Sequence, residues 1–246
     1  MVEYVAYKEL KMENTKTDAL AHETHEIEQE TEFTAAYRWQ HWIRAVSILV
    51  LIITGFYIAV PFITPEPNPE PTNFLQAIIR TVHLVFGFVM IAVVLFKSYL
   101  FLFGGRTYRK EIGSLIDVIN PKIWIQQIGY YLFLTKHPHI KGVYNPLQFV
   151  AYIGLYTLFF ILIITGLILY VHVYHEGFAG LIYEPMLKLE VMLGGLAWVR
   201  ELHHIAMWGV IIVVTVHIYM AIFNAVFGKE GSMDAIFSGL KWHKKH

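Results

Sequence analysis

The chain alternates one polar segment with four long apolar ones. Residues 1–36 are polar and acid-rich, with Glu23, Glu26, Glu28, Glu30 and Glu32 close together. Such a stretch buries too little apolar area to offset chain ordering, and it predicts a surface arm. Four apolar runs follow, His41 to Ile63, Ala77 to Phe103, Leu147 to Val171 and Ile205 to Phe227, none interrupted by Asp or Glu. Each reaches the roughly 20 residues a helix needs to cross hydrocarbon. The expected fold is an all-α membrane protein, a bundle of four transmembrane helices over residues 37–228, followed by a basic tail over 229–246. The run PKIWIQQIGYYLFL opens on Pro121, suited to the first position of a helix, and is too short to span. It predicts a helix lying in the membrane interface. The start, MVEYVAYKEL, has no basic stretch followed by an apolar one, so the first span is expected to direct insertion and remain.

Composition agrees with this pattern: 56% of residues are hydrophobic and mean hydropathy is +0.50, more apolar than a soluble core of this length requires. A net charge of +0 argues against nucleic acid as a partner, which would call for a clustered basic face. The charges are informative in their placement. The first connection contains EPNPEPTN and no Lys or Arg, and the third contains Lys188 and little else basic before Arg200. The second carries Arg106, Arg109, Lys110, Lys122, Lys136 and Lys141, and the tail carries Lys229, Lys241, Lys244 and Lys245. By the positive-inside rule both termini, the second connection and its interfacial helix are cytoplasmic.

Candidate chemistry rests on histidine. The chain has no cysteine, so an iron-sulfur cluster or a covalently attached haem is excluded, and a redox iron would have to be held by imidazole, as in a b-type haem. Four histidines fall at membrane depth: His41, His83, His203 and His217. From His203 to His217 is fourteen residues, which returns the side chain to within about 40° of the same face about 21 Å further along the helix. Pairing by depth gives His83 with His203 as outer ligands and His41 with His217 as inner ones. His204 points nearly opposite to His217 and is left outside the set. Arg38, Arg80 and Arg200 each precede a candidate ligand by three residues, on the same side and nearer water, where haem propionates would find a charge-assisted partner. Interfacial arginines also snorkel for topology alone. Gly55, on the His41 face at the outer depth, and Gly87, one turn below His83, would leave room for a porphyrin, although small residues also serve plain helix packing. His172 and His175 fit an interfacial position. A lone membrane histidine can be a hydrogen-bonded core residue or a proton relay. A transporter built on such a relay would call for intramembrane carboxylates, which the spans lack, and a purely structural anchor would need no depth-matched histidines.

The stretches YRWQHWIRAVSILVLIITGFYI, RTVHLVFGFV, YNPLQFVAYIGLYTLFFILIITGL and RELHHIAMWGVIIVVTVHIYMA resemble the dihaem b-type cytochrome subunit of membrane-bound, quinone-reducing nickel-iron hydrogenases, a relative of the formate dehydrogenase gamma cytochrome. The resemblance runs from Thr34 to the C-terminus. It implies a multi-pass protein of the bacterial inner membrane carrying two bis-histidine haems. It also implies docking to the small subunit of a periplasmic hydrogenase, which brings the large subunit with it, and passage of electrons from the outer haem to the inner one and on to a quinone such as menaquinone or ubiquinone. Tyr144, Asn145 and Gln148 stand where polar partners for quinone carbonyls are needed, near the inner pair, and the family places quinone contacts at its matching YN motif. Asn145 before Pro146 is equally an ordinary helix cap. The cytochrome of a formate dehydrogenase is the alternative within the redox class.

Overall fold

In a computed structural model the described residues are 27–31, 33–63, 74–103, 115–136, 145–228 and 232–244. They fall into two compact units, a helical bundle over Gln40–Met220 and a unit formed by the two chain termini. The elements are β1 (Ile27–Thr31), α1 (Ala35–Ala59), α2 (Leu75–Phe103), α3 (Leu115–Val118), α4 (Pro121–Tyr131), α5 (Pro146–Val171), α6 (Phe178–Met192), α7 (Leu196–Phe223), a π-helical turn (Asn224–Gly228), α8 (Ser232–Ser238) and β2 (Leu240–Lys244). Four helices, α1, α2, α5 and α7, are long and apolar enough to cross a membrane. They are the four spans expected from the sequence. Helix α7 starts well before its apolar run, because Arg200 and Glu201 sit in its first turns.

The bundle is apolar on its outside, as a protein solvated by lipid should be, and buries polar as well as apolar side chains. Leu49, Ile53, Val85, Leu95 and Ile212 are exposed, whereas Gln40, Ser47, Thr54, Lys97 and Thr165 are buried. The buried hydroxyls of Ser47, Thr54 and Thr165 donate to carbonyls one turn back, Ile43, Val50 and Ile161, so none of these three is stranded. Local signals start the helices. Asn145 accepts from the Gln148 backbone N–H at 2.8 Å while the Gln148 side chain accepts from the Asn145 N–H at 3.1 Å, a capping box with Pro146 at the first position. Asn120 caps α4 more simply, accepting from the Lys122 backbone N–H at 3.1 Å ahead of Pro121. Helix α4 exposes Ile125 and Ile128 while burying Gln127 and Tyr131, the polarity of a helix against an apolar medium. Midway along the bundle Met90, Val94, Phe159 and Val210 form a buried apolar cluster, flanked by Leu51, Leu155 and Leu158.

In the terminal unit β1 pairs antiparallel with β2, with Gln29 opposite Trp242. The polar composition of 1–36 gave no hint of this strand, whose partner lies at the other end of the chain. Gly239 (φ 89°) turns the chain between α8 and β2. A Cβ there would lie 2.9 Å from the Phe33 carbonyl oxygen, so glycine is required for close approach as well as for φ.

Candidate haem site

The four helices bring the predicted histidines together in pairs. The end of the bundle where α1 and α5 begin and α7 finishes holds His41 and His217, with ring centroids 6.3 Å apart and planes tilted by 56°. The far end holds His83 and His203, 6.5 Å apart and tilted by 60°. An ion held between two imidazole nitrogens by bonds of about 2 Å puts the ring centroids about 6 Å apart. Both pairs have that spacing, and they are alike in tilt.

At the far end a second layer of contacts decides which nitrogen faces the partner ring. Thr54 Oγ1 lies 2.8 Å from His83 Nδ1, and Thr165 Oγ1 lies 2.8 Å from His203 Nδ1. A threonine hydroxyl has one hydrogen, and each of these is already given to a backbone carbonyl, Val50 at 2.7 Å and Ile161 at 2.6 Å. Nδ1–H is therefore the donor in both imidazoles, and Nε2 keeps its lone pair for a metal. Neither threonine stands out in the sequence, since a buried hydroxyl bonded to its own helix is common in membrane spans. Among the described residues His41 and His217 have no such hydroxyl partner.

Around the far pair lies a cavity of about 620 Å³, within the roughly 300–1,000 Å³ of cofactor pockets. Arg80 and Arg200 line it beside His83 and His203, and Met90, Phe159 and Val210 of the mid-bundle cluster line it too. Glycines shape it in two ways. A Cβ at Gly55 would lie 3.4 Å from His83 Cε1, and one at Gly166 would lie 3.5 Å from His203 Cε1. Gly87 lines the cavity with no atom within 4 Å of its would-be Cβ, so a side chain there would enter the space a flat ring needs. Gly55 and Gly87 were expected; Gly166 was not, because only the fold shows that α5 faces His203. The imidazole spacing, the bare Nε2 positions and the glycine-lined cavity fit a haem.

His204 also lines the cavity, but its ring lies edge-on to Phe56 at 6.3 Å. His172, at the far rim, bonds Glu190 of α6 at 2.5 Å. Arg38 donates to the Phe237 carbonyl within the terminal unit. Arg44, a residue the sequence did not single out, donates to the Tyr156 hydroxyl at 2.6 Å and carries its charge within electrostatic reach of His41 and His217. Asn145 is buried and, besides its cap, donates from Nδ2 to the Tyr131 hydroxyl at 3.1 Å. Tyr219, two residues past His217, donates to the Tyr131 carbonyl at 3.3 Å, so Asn145 and the His41/His217 pair belong to the same end of the bundle. Tyr144 lies outside the described residues. Gln127, one turn before Tyr131, is fully buried and neither side-chain amide atom has a hydrogen-bond partner.

Membrane helices that pair imidazoles across a porphyrin-sized cavity, in a chain without cysteine, define a membrane cytochrome of the b type. The chain belongs to the prokaryotic cytochrome b561 family, which it matches over residues 32–239. Its relatives include proteins named probable Ni/Fe-hydrogenase B-type cytochrome subunit from Cupriavidus necator, 30% identical over 86% of both chains, and from Rhizobium leguminosarum bv. viciae, 28% identical over 91% of this chain and 94% of that one. A probable Ni/Fe-hydrogenase 1 B-type cytochrome subunit from Escherichia coli is 30% identical over 86% of this chain and 90% of its own length. The chain is an electron-transfer membrane protein, homologous to hydrogenase cytochrome subunits.

Proposed function

We propose that this chain is the dihaem cytochrome subunit of a quinone-reducing nickel-iron hydrogenase, anchoring the small and large subunits at the periplasmic face of the bacterial inner membrane. The observation that carries the reading is the two histidine pairs at metal-bridging distance, in a chain whose relatives bear the hydrogenase name. Lysine and arginine asymmetry orients both termini inward, so His83 and His203 are the ligands of an outer haem and His41 and His217 those of an inner one. Haems bound there supply reversible one-electron chemistry at two depths.

The residues contribute position and charge. Arg80 and Arg200, in the wall of the outer cavity, offer guanidinium groups to propionates, which pair with them bidentately. On the inner side Arg44, held by Tyr156, offers its guanidinium group. Quinone is proposed to bind near Asn145 and Gln148, with Tyr144 from the adjoining segment. Asn145 uses one amide hydrogen on Tyr131 and keeps the other for a carbonyl. Gln127 adds a buried amide whose orphaned atoms cost about 1–3 kcal/mol each unless a ligand meets them.

The test is purification of the membrane complex with its natural partners. A nickel-iron hydrogenase should copurify, two b haems per cytochrome should be reduced by hydrogen, and quinone reduction in liposomes should generate a membrane potential. Copurification of a formate dehydrogenase, or a single haem, would overturn the reading; turnover without a potential would move the quinone to the outer side.

A further inference from the structure

The two histidine pairs match in spacing and tilt but differ in what holds them. Each outer imidazole donates from Nδ1 to a buried threonine, Thr54 or Thr165, at 2.8 Å. Each threonine in turn donates to a carbonyl of its own helix. The result on either side is a three-member chain from imidazole N–H through hydroxyl to carbonyl, in which each bond polarises the next. Among the described residues the inner imidazoles have no hydroxyl partner, and the nearby charge is the Arg44 guanidinium.

Drawing the Nδ1 proton toward an acceptor makes the opposite nitrogen a stronger donor to iron, and a stronger donor favours the oxidised metal. A cation near a haem works the other way, favouring the reduced metal, and both pairs have one close by: Arg44 at the inner pair, Arg80 and Arg200 in the wall of the outer cavity. Taking the outer and inner haem assignment of the proposed function, we infer that Thr54 and Thr165 are positioning residues that fix the planes of the outer ligands and hold the outer haem at a lower potential than it would have without their hydroxyls. Two hydroxyls in α1 and α5 thereby bias the outer haem toward its oxidised state, the direction that favours passing its electron on toward the quinone side.

The threonines are buried and pack beside the ligands, so a change in haem content alone would not separate positioning from packing. Thr54→Val and Thr165→Val keep the shape and remove the hydroxyl. Redox titration of the purified complex, followed optically and by EPR, reads both haems, with a His83→Ala variant assigning the outer signal. Each valine variant should raise the outer midpoint potential and shift the largest g value of the ferric outer haem, which reports the angle between the imidazole planes, while the inner signal stays fixed. Thr54→Ser and Thr165→Ser should restore both readouts. Two bound haems with an unchanged outer potential and g value in the double valine variant would overturn the role of the hydroxyls, as would serine variants that behave like valine. A wild-type protein lacking two resolvable haem signals would instead overturn the dihaem reading on which the inference rests.

Discussion

Replacement of Gly87 separates the cofactor from the protein around it. Gly87 sits in α2 one turn from His83, and no atom comes within 4 Å of the position its Cβ would take. A Cβ there meets no neighbouring atom and opens into the cavity, and the helix gains about 1 kcal/mol in propensity over glycine. The haem-free chain should therefore fold as well as wild type. With haem the outcome reverses, because Gly87 lines the 620 Å³ cavity beside His83 and Arg80. Crowding a filled site with extra carbons costs about 1–3 kcal/mol, or about 5- to 150-fold in affinity. Gly87→Ala should weaken the outer haem slightly, and Gly87→Leu should lower the purified haem-to-protein ratio from two toward one. The lipid-facing substitution Val85→Leu should leave the ratio alone. Pyridine haemochrome content and thermal unfolding of the same preparations provide the two readouts. Full haem content in Gly87→Leu would refute the placement of the cofactor in this cavity, and equal thermal destabilisation with and without haem would show that leucine acts on the protein.

Other outcomes follow from the same geometry. His203→Ala should lose the outer haem while His204→Ala keeps both, because only His203 faces His83; a haem count per polypeptide decides it. Reporter fusions after residue 70 should register outside, and fusions after residue 110 or at the C-terminus inside; the opposite pattern would invert the proposed orientation. Asn145→Asp should keep the α5 cap, since the Oδ1 acceptor for Gln148 is retained and Asp caps as well as Asn. It should abolish quinone reduction while hydrogen still reduces the haems, and wild-type quinone activity would remove Asn145 from the site.

The parts of the fold that the sequence made legible are those set by the bilayer. Uninterrupted apolar runs marked α1, α2, α5 and α7, and a fourteen-residue spacing on one helix face put His203 and His217 in register with His83 and His41. Features that depend on which helices touch were not legible. Thr165 and Gly166 look like any small residues of an apolar helix until α5 is set against His203, and Thr54 gains its meaning only from His83 across the bundle. Arg44 follows His41 by three residues and so falls outside the repeated arginine-before-histidine spacing of Arg38, Arg80 and Arg200. Helix α6 lies in a stretch too short to span and carries Pro185, which reads as a break. The β1 and β2 pairing joins polar segments from opposite ends of the chain, where no local hydrophobic period marks a strand.

The apolar cluster of Met90, Val94, Phe159 and Val210 has a consequence for energy storage. It fills the middle of the bundle between the two histidine pairs, and the residues packed on it, Ile48, Leu51, Leu155, Leu158, Leu162, Ile163 and Val214, are apolar as well. A proton needs a chain of hydrogen-bonding groups to hop along, and these eleven side chains offer none; an electron can tunnel past them. On the proposed dihaem reading the cluster belongs to the dielectric of a small capacitor, charged by one elementary unit each time an electron passes between its plates. Against a membrane potential of 100 mV that charge would store about 2.3 kcal/mol.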